Sequence, residues 1–578
     1  MRQAALLLVI WIIVVSGLFP DDALVLSGVG AGWIGLYLLE FKKINFITHV
    51  IALSLPILLT FHFYQAHLHA WWLADDPALL QAIAAQGIFP HFYVSDVWRQ
   101  VSPANLTPWL LASLGIDWQL FQLAPFGYYL HHFLAFSLVL SVSYWLLIRY
   151  FSPLIASFVL SWFVLSTPVA HLLQFLMVRH YLEGLGFAVA ALLFYLKALR
   201  YDNRQWSLLG SGCYLLAVTA KEIYVPLIIL LPLFPEARWR QRINHLIPFI
   251  FIAIGYVLWR AEMLQWQRLV SGYDSSVIPK LTWDYILHLP QHLMRILEWV
   301  TPWQRIIFSA TLLLFWSVLL RQARISQILQ VFLWIAAVSV PIIPVLTILD
   351  TRYLVLPYFL LCIGFGWSLQ YLKPRYPVAA IILGFCLVIA SVQTVYHLSF
   401  NQLQQRYRAE GHFILRGESG TLMQPIGMYW YYQGLQWLRI HTLQLPDSTS
   451  VCYDPCVCAM TPPIYHYDAH QLRLDKYTES QATCGLKMQS LQSQVRLEND
   501  ILFWQLVAHP TGQYYASLSK NNQLHGQFFP IPATGQFAVV AEKVYLVFKY
   551  VAATGETQYS PNLEVTTPPK TRHLMSVE

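Results

Sequence analysis

Charged side chains are scarce in this chain: Asp, Glu, Lys and Arg make up 11% of its 578 residues. Soluble domains carry roughly 25%, so an ordinary soluble fold is excluded for most of the sequence. Cysteine is also scarce, with seven in all. Three of these (Cys213, Cys362, Cys386) fall inside apolar runs, where they read as packing residues. No G-x-x-x-x-G-K-[ST] or G-x-G-x-x-G loop occurs, so the chain lacks the usual backbone cradle for a nucleotide. No internal repeat is evident, and repeat symmetry is what many transporters show. The formal net charge is +7, yet the basic residues sit in short clusters between apolar runs. They form no stripe interleaved with aromatics, which argues against a nucleic-acid partner.

What remains is apolar: 57% of the residues are hydrophobic. Runs of about 17–25 apolar residues can cross a bilayer as helices. Spans are expected near Ala4–Phe19, Ala23–Leu39, Phe46–Gln65, Gly127–Ile148, Pro153–Ala170, Tyr181–Ala198 and Trp206–Thr219. Further spans fall near Ile223–Phe234, Leu246–Met263, Ile306–Leu320, Ile328–Leu349, Tyr353–Tyr371 and Val378–Leu398. The expectation is therefore an α-helical polytopic membrane protein with about 13 transmembrane helices.

Sidedness follows from the basic residues. With the N-terminus in the cytoplasm, the inner loops hold Lys42–Lys43, Arg149, Lys197/Arg200/Arg204, Arg238/Arg240/Arg242, Arg321/Arg324 and Lys373/Arg375, as the positive-inside rule requires. The long loop 66–126 holds only Arg99 and falls outside. This topology divides the chain into a membrane domain, 1–399, and an extracytoplasmic C-terminal domain, 400–578. In the tail, Cys452, Cys456, Cys458 and Cys484 read as two disulfides in an oxidising compartment, with a zinc site as the rival reading. Gln402–Arg416 fits an amphipathic helix. Alternating runs punctuated by Gly, Pro and Asn over about 497–566 suggest a mainly β, immunoglobulin- or fibronectin III-like sandwich. The last dozen residues read as a disordered tail.

The remaining charges carry the functional signal. Asp75–Asp76, in HAWWLADDPALLQAI, follows a hydrophobic span and opens the first outer loop. Ionisable groups beside hydrocarbon are costly and tend to mark sites. Basic residues also lie at predicted outer ends of spans, against the positive-inside bias: Arg179–His180, Lys221–Glu222, Arg260, and Arg352 next to Tyr353. Their coincidence on one face suggests a site for an anion, such as the phosphate of a lipid. Simpler readings stand beside these. Asp75–Asp76 could cap the helix opening at Pro77, Lys221 could pair with Glu222, and Arg352 with Asp350. His131–His132 read as interfacial polar residues rather than metal ligands. Trp71, Trp72, Trp98 and Trp109 are weak candidates for stacking on sugars.

In order and spacing over about residues 45–372, these motifs resemble the GT-C glycosyltransferases, in particular glycosyltransferase family 39. That type includes protein O-mannosyltransferases and the lipid A aminoarabinose transferase. The resemblance rests on the acidic pair, on SPANLTPWLLASLGIDWQLFQLAPFGYYLHHFLAFSL, VRHYLEGLGFAVAALLFYLKALR and AVTAKEIYVPLIILLP, and on TRYLVLPYFLLCIG. It implies a GT-C-like fold in the bacterial inner membrane. It also implies transfer of a sugar from a polyprenyl-phosphate donor to an acceptor hydroxyl on a lipid, glycan or protein, with inversion. Asp75 or Asp76 would be the general base, with Arg179, Lys221 and Arg352 at the phosphate and His180, Glu222 and Tyr353 beside them. The family usually shows Asp-Glu where this chain has Asp-Asp, so either carboxylate could act. Some GT-C enzymes hold a divalent metal through a second acidic motif. The corresponding loop, HLLQFLMVRHYLEG, has no D-x-D, so no metal and no cofactor are expected. The alternatives are an O-antigen ligase or polysaccharide polymerase, a lipid-linked sugar flippase, or a non-catalytic scaffold.

Overall fold

The computed structural model describes residues 2–40, 45–102, 105–234, 236–264, 325–339, 351–373, 377–397, 401–417 and 419–453. It also describes isolated residues between 287 and 321, and 463–476, 491–498, 501–507, 512–519, 527–538, 543–554, 557–560 and 563–566. Part of the span expected at Ile306–Leu320, the second half of that at Ile328–Leu349, and Asp350, Cys456, Cys458 and Cys484 lie outside the described residues. The disulfide expectation therefore falls mainly outside them too. Cys452 is buried at the end of a strand.

The chain divides into two compact units, Met1–Ala70 with Asn105–Glu262 and Lys280–Phe400, and Trp71–Ala104 with Met263–Pro279 and Asn401–Glu578. The first loop, 66–126, is thus shared between them.

The first unit is helical. Arg2–Leu18, Ala23–Glu40, Phe46–Tyr64, Pro125–Leu147, His180–Tyr201, Arg204–Ala220, Trp239–Leu264 and Val355–Leu372 are helices and follow the expected apolar runs. Among the described residues, six helical stretches are long and apolar enough to cross a membrane. Together with the scarcity of charge, this makes the chain an integral membrane protein. The run Pro153–Ala170 is not one straight span. It breaks into Pro153–Val164 and Thr167–Gln174, which are bent by 59°. The second piece starts anew because Ser166 accepts from the Val169 N–H and Pro168 sits in the first turn.

Small residues let the helices approach, as expected where lipid supplies no hydrophobic drive. The Trp11 indole occupies the place a Cβ on Gly30 would take, and its N–H donates to Leu26 O at 2.7 Å. Gly184 makes the same kind of room for the Tyr224 ring. The core is mostly Leu, Val and aromatic residues, including Trp33, Phe136, Phe158 and Phe163.

The second unit combines three sheets with helices. Strands β1 (Gly420–Met423), β2 (Thr449–Cys452), β3 (Ile464–Asp468) and β4 (Arg473–Lys476) form a sheet in the order β2-β1-β3-β4. In it β1 runs parallel to both β2 and β3. Parallel neighbours require a crossover, and the Tyr429–His441 helix supplies it between β1 and β2.

Strands β5 (Ser493–Glu498), β6 (Ile501–Leu506) and β9 (Thr534–Ala538) make a second sheet, in the order β5-β6-β9. β7 (Gly512–Ser519), β8 (Phe529–Ile531), β10 (Lys543–Ala552), β11 (Thr557–Tyr559) and β12 (Leu563–Thr566) make a third. Leu502, Trp504 and Leu506 of one share a core with Tyr514, Leu546, Phe548 and Tyr550 of the other. The C-terminal region is β-rich, as expected. The parallel sheet ahead of it was not foreseen.

Candidate active site

Three cations mark helix ends in the first unit. Arg179 directly precedes the His180–Tyr201 helix, and Asp202, in the left-handed conformation at φ 48°, ends that helix. The Asn203 side chain then caps Arg204–Ala220 by accepting from the Gln205 N–H at 2.8 Å. This tight hairpin returns the chain along the same helix. Lys221, which follows Arg204–Ala220 in extended conformation, therefore comes back to the end where Arg179 and His180 begin. Arg352 lies in the turn Thr351–Leu354, just before Val355–Leu372. Positive charge at a helix N-terminus opposes the macrodipole, so Arg179 and Arg352 gain nothing from their own helices.

The structure separates these cations into two settings. Arg179 is fully buried, and its Nη1 donates to Asp117 Oδ2 at 2.5 Å. Its Nε lies 3.7 Å from Glu183 Oε1. Glu183 also accepts from Trp109 Nε1 and Ser113 Oγ, both at 2.7 Å, and Asp117 holds His131 Nδ1 at 2.7 Å. Two buried acids thus face Arg179, while its Nε and Nη2 make no hydrogen bond among the described residues. Asp117 and Glu183 were not singled out in the sequence, although each is the only acid in its helix, Pro108–Phe121 and His180–Tyr201 respectively.

Lys221, His180 and Tyr353 meet at Tyr181, with Arg352 against Tyr353. Lys221 Nζ stands 5.1 Å from the Tyr181 ring centroid, and Tyr353 meets that ring edge-on at 6.0 Å. The Arg352 guanidinium lies 5.5 Å from the Tyr353 ring. His180 packs on Tyr181 at 4.8 Å and is within electrostatic reach of Lys221, of Arg352 and of its own neighbour Arg179. Glu222 approaches Lys221 at 3.5 Å, but it shares its charge with Arg260 Nη1 at 2.5 Å and the Leu106 N–H at 2.7 Å. The ring faces attract the cations, and the cations' remaining N–H donors can hold an anion.

The acidic pair belongs to the second unit. Asp76 is 1% exposed and opens the Asp76–Gln86 helix. Its Oδ2 accepts from the Leu73 N–H at 2.8 Å, so it secures the turn before the helix. Asp75 makes no side-chain cap. Its Oδ1 accepts from Trp430 Nε1 at 2.7 Å instead. Ala74, just ahead, has φ 46°, a strained value for a residue with a Cβ.

Trp71 anchors this strained turn. Its N–H donates to Gln404 Oε1 at 3.1 Å and its indole to Tyr431 OH at 3.1 Å. Tyr431 OH donates to Trp72 O at 3.2 Å. Nearby, burial and then Glu410, Asp75 and Asp76 push the Tyr407 phenol up to about 12. Trp71, Trp72 and Trp98 are buried and serve as anchors rather than sugar platforms. Among the described residues, no three His, Cys, Asp or Glu side chains are grouped as metal ligands.

Fold and site together define a polytopic membrane protein with a cation-and-tyrosine cluster at helix ends and an acid pair held in a β-rich unit. No family model and no curated protein matches the chain. Among solved structures it is similar to the crystal structure of ArnT from Cupriavidus metallidurans bound to undecaprenyl phosphate. The identity is 11% and the TM-score 0.40, with 69% of this chain and 89% of that chain covered.

Proposed function

We propose that this protein is a GT-C-type membrane glycosyltransferase that moves a sugar from a polyprenyl-phosphate donor to an acceptor hydroxyl on the extracytoplasmic side. The observation that carries the reading is that Lys221 and Tyr353 meet at Tyr181, with His180 beside that ring and Arg352 against Tyr353, at the ends of apolar helices. A cluster with that chemistry suits a phosphate whose hydrocarbon tail lies among the helices. Arg supplies a planar fork and Lys a compact point charge to the oxygens.

The acceptor oxygen attacks the anomeric carbon as its proton passes to an aspartate. The bond from that carbon to the phosphate oxygen breaks, and polyprenyl phosphate leaves with the electron pair. Cations at the phosphate stabilise its growing charge. Of the two carboxylates, Asp75 suits the base better. It is only half-buried, whereas Asp76 is committed to Leu73 N–H. Arg179, enclosed by Asp117 and Glu183, suits a supporting role behind the phosphate site. The acid pair and the cation cluster lie in different units.

The test uses the full chain in nanodiscs with a panel of radiolabelled sugar-phosphate polyprenols. Release of polyprenyl phosphate that depends on acceptor, and is lost in D75N and in the K221M/R352M double variant, supports the reading. Movement of intact donor across the bilayer without cleavage would favour a flippase and overturn it.

A further inference from the structure

Trp430 differs from the other tryptophans near the acid pair. It is 39% exposed, while its N–H is committed to Asp75 Oδ1 at 2.7 Å. Its ring runs nearly parallel to Phe529, at 12° with centroids 6.2 Å apart. The two rings thus stand side by side in nearly the same orientation, within the range of paired aromatics. Polar groups stand beside the pair. The Gln527 amide is fixed there, accepting from the Tyr429 N–H at 2.5 Å and donating to Met428 Sδ at 2.8 Å. An exposed indole beside a second aromatic, with a carboxylate on its N–H and an amide held by the two residues before it, matches the two surfaces of a pyranose. Such a ring has an apolar C–H face and a rim of hydroxyls that need acceptors and donors.

We propose that Trp430 and Phe529 form the acceptor subsite, where a pyranose ring of a glycan or glycolipid stacks with its hydroxyl edge toward Asp75 and Gln527. This names the acceptor class for the transfer proposed above and rests on that reading. Trp430 then has two separable jobs. Its ring binds the acceptor, and its N–H fixes Asp75, which makes it a positioning residue for the base.

The experiment is saturation-transfer NMR on the full-length protein in nanodiscs, without donor. The probes are the methyl pyranosides of glucose, galactose, mannose and N-acetylglucosamine. At least one should receive saturation concentrated on one ring face. W430A and F529A should each cut that signal about five-fold or more, while W430F should keep it within about two-fold. In turnover, W430F should lower kcat with little change in acceptor KM, and W430A should change both. Thermal unfolding checks that the variants fold, and F529A with W430F carries the test if W430A does not. No saturation of any probe in the wild type, or none lost in F529A and W430A, overturns the subsite. A protein that binds a pyranoside through Trp430 but never cleaves donor would sink the transferase reading alone. One that transfers sugar with unchanged acceptor KM in W430A and F529A would sink the subsite alone.

Discussion

Arg179 Nη1 donates to Asp117 Oδ2 at 2.5 Å, in a pair whose side chains are 0% and 1% exposed. The two residues are 62 positions apart, and the contact ties the start of one apolar helix to the middle of another. Removing one partner leaves a buried charge behind, which costs about 3–5 kcal/mol, whereas replacing both by apolar groups of similar size is far milder. D117N and R179M should each lower the unfolding temperature in detergent strongly, and the D117L/R179M double variant, which still leaves Glu183 and His131 without these partners, should recover part of the loss. A double variant as unstable as the sum of the singles would show that the ion pair contributes little.

Asp75 and Asp76 should respond differently to amidation. D75N should lose about 10²-fold or more in transfer rate, the scale of a missing general base, with nearly unchanged unfolding temperature. D76N disturbs the bond to Leu73 N–H and should lose both stability and activity. Rates and melting curves measured on the same preparations separate the two. Equal loss of stability in both variants would contradict this division.

Gly434 allows the Tyr429–His441 helix to meet the Asp76–Gln86 helix. A Cβ there would stand 2.6 Å from Pro77 C and 2.7 Å from Ala78 N, backbone atoms that cannot rotate away. G434A should therefore push the start of the aspartate helix aside and cost about 1–3 kcal/mol, with activity falling in step. G28A, which would meet no atom within 4 Å, is the matched control and should be neutral or slightly stabilising. Differential scanning fluorimetry on both variants checks the contrast.

Acid should weaken the second unit. Burial lowers the His91 imidazole below its ordinary value of 6.5, and burial together with Arg416 and Arg408 lowers His412. Both rings stay neutral in the folded state where the unfolded chain would take up a proton. Their contribution is therefore fully present above pH 6.5 and is lost as the pH falls below it. Unfolding temperature should drop between pH 7.5 and 5.5, and an H91Q/H412Q double variant should show a shallower slope. An equal slope in the variant would assign the acid response to other groups.

The helices were legible in the sequence because a run of 17–25 apolar residues is a local signal. The break in Pro153–Ala170 was also written there, as Ser166-Thr-Pro168, but the continuous hydropathy masked it. The cation cluster was visible as charges at the wrong ends of spans. Its division was not, because Asp117 and Glu183 look like isolated polar interruptions until the fold brings Arg179 between them. The parallel pairing of β1 with β2 and β3 joins short strands far apart in sequence, and alternation within a strand does not name its neighbour. Trp430 carried no local mark. Its significance comes from Asp75, 355 residues earlier.

The bond between Trp71 and Tyr431 spans 360 positions. At a synthesis rate of about 5–20 residues per second, the loop bearing the aspartates emerges roughly 20–70 s before the tyrosine that secures it exists. During that interval the loop is an unfinished piece of a domain whose other half is still unmade. Asp75 and Asp76 can thus take up their final setting only after most of the membrane-spanning part has been translated, so a prematurely terminated chain would lack the acid pair's setting even though it contains the acid pair itself.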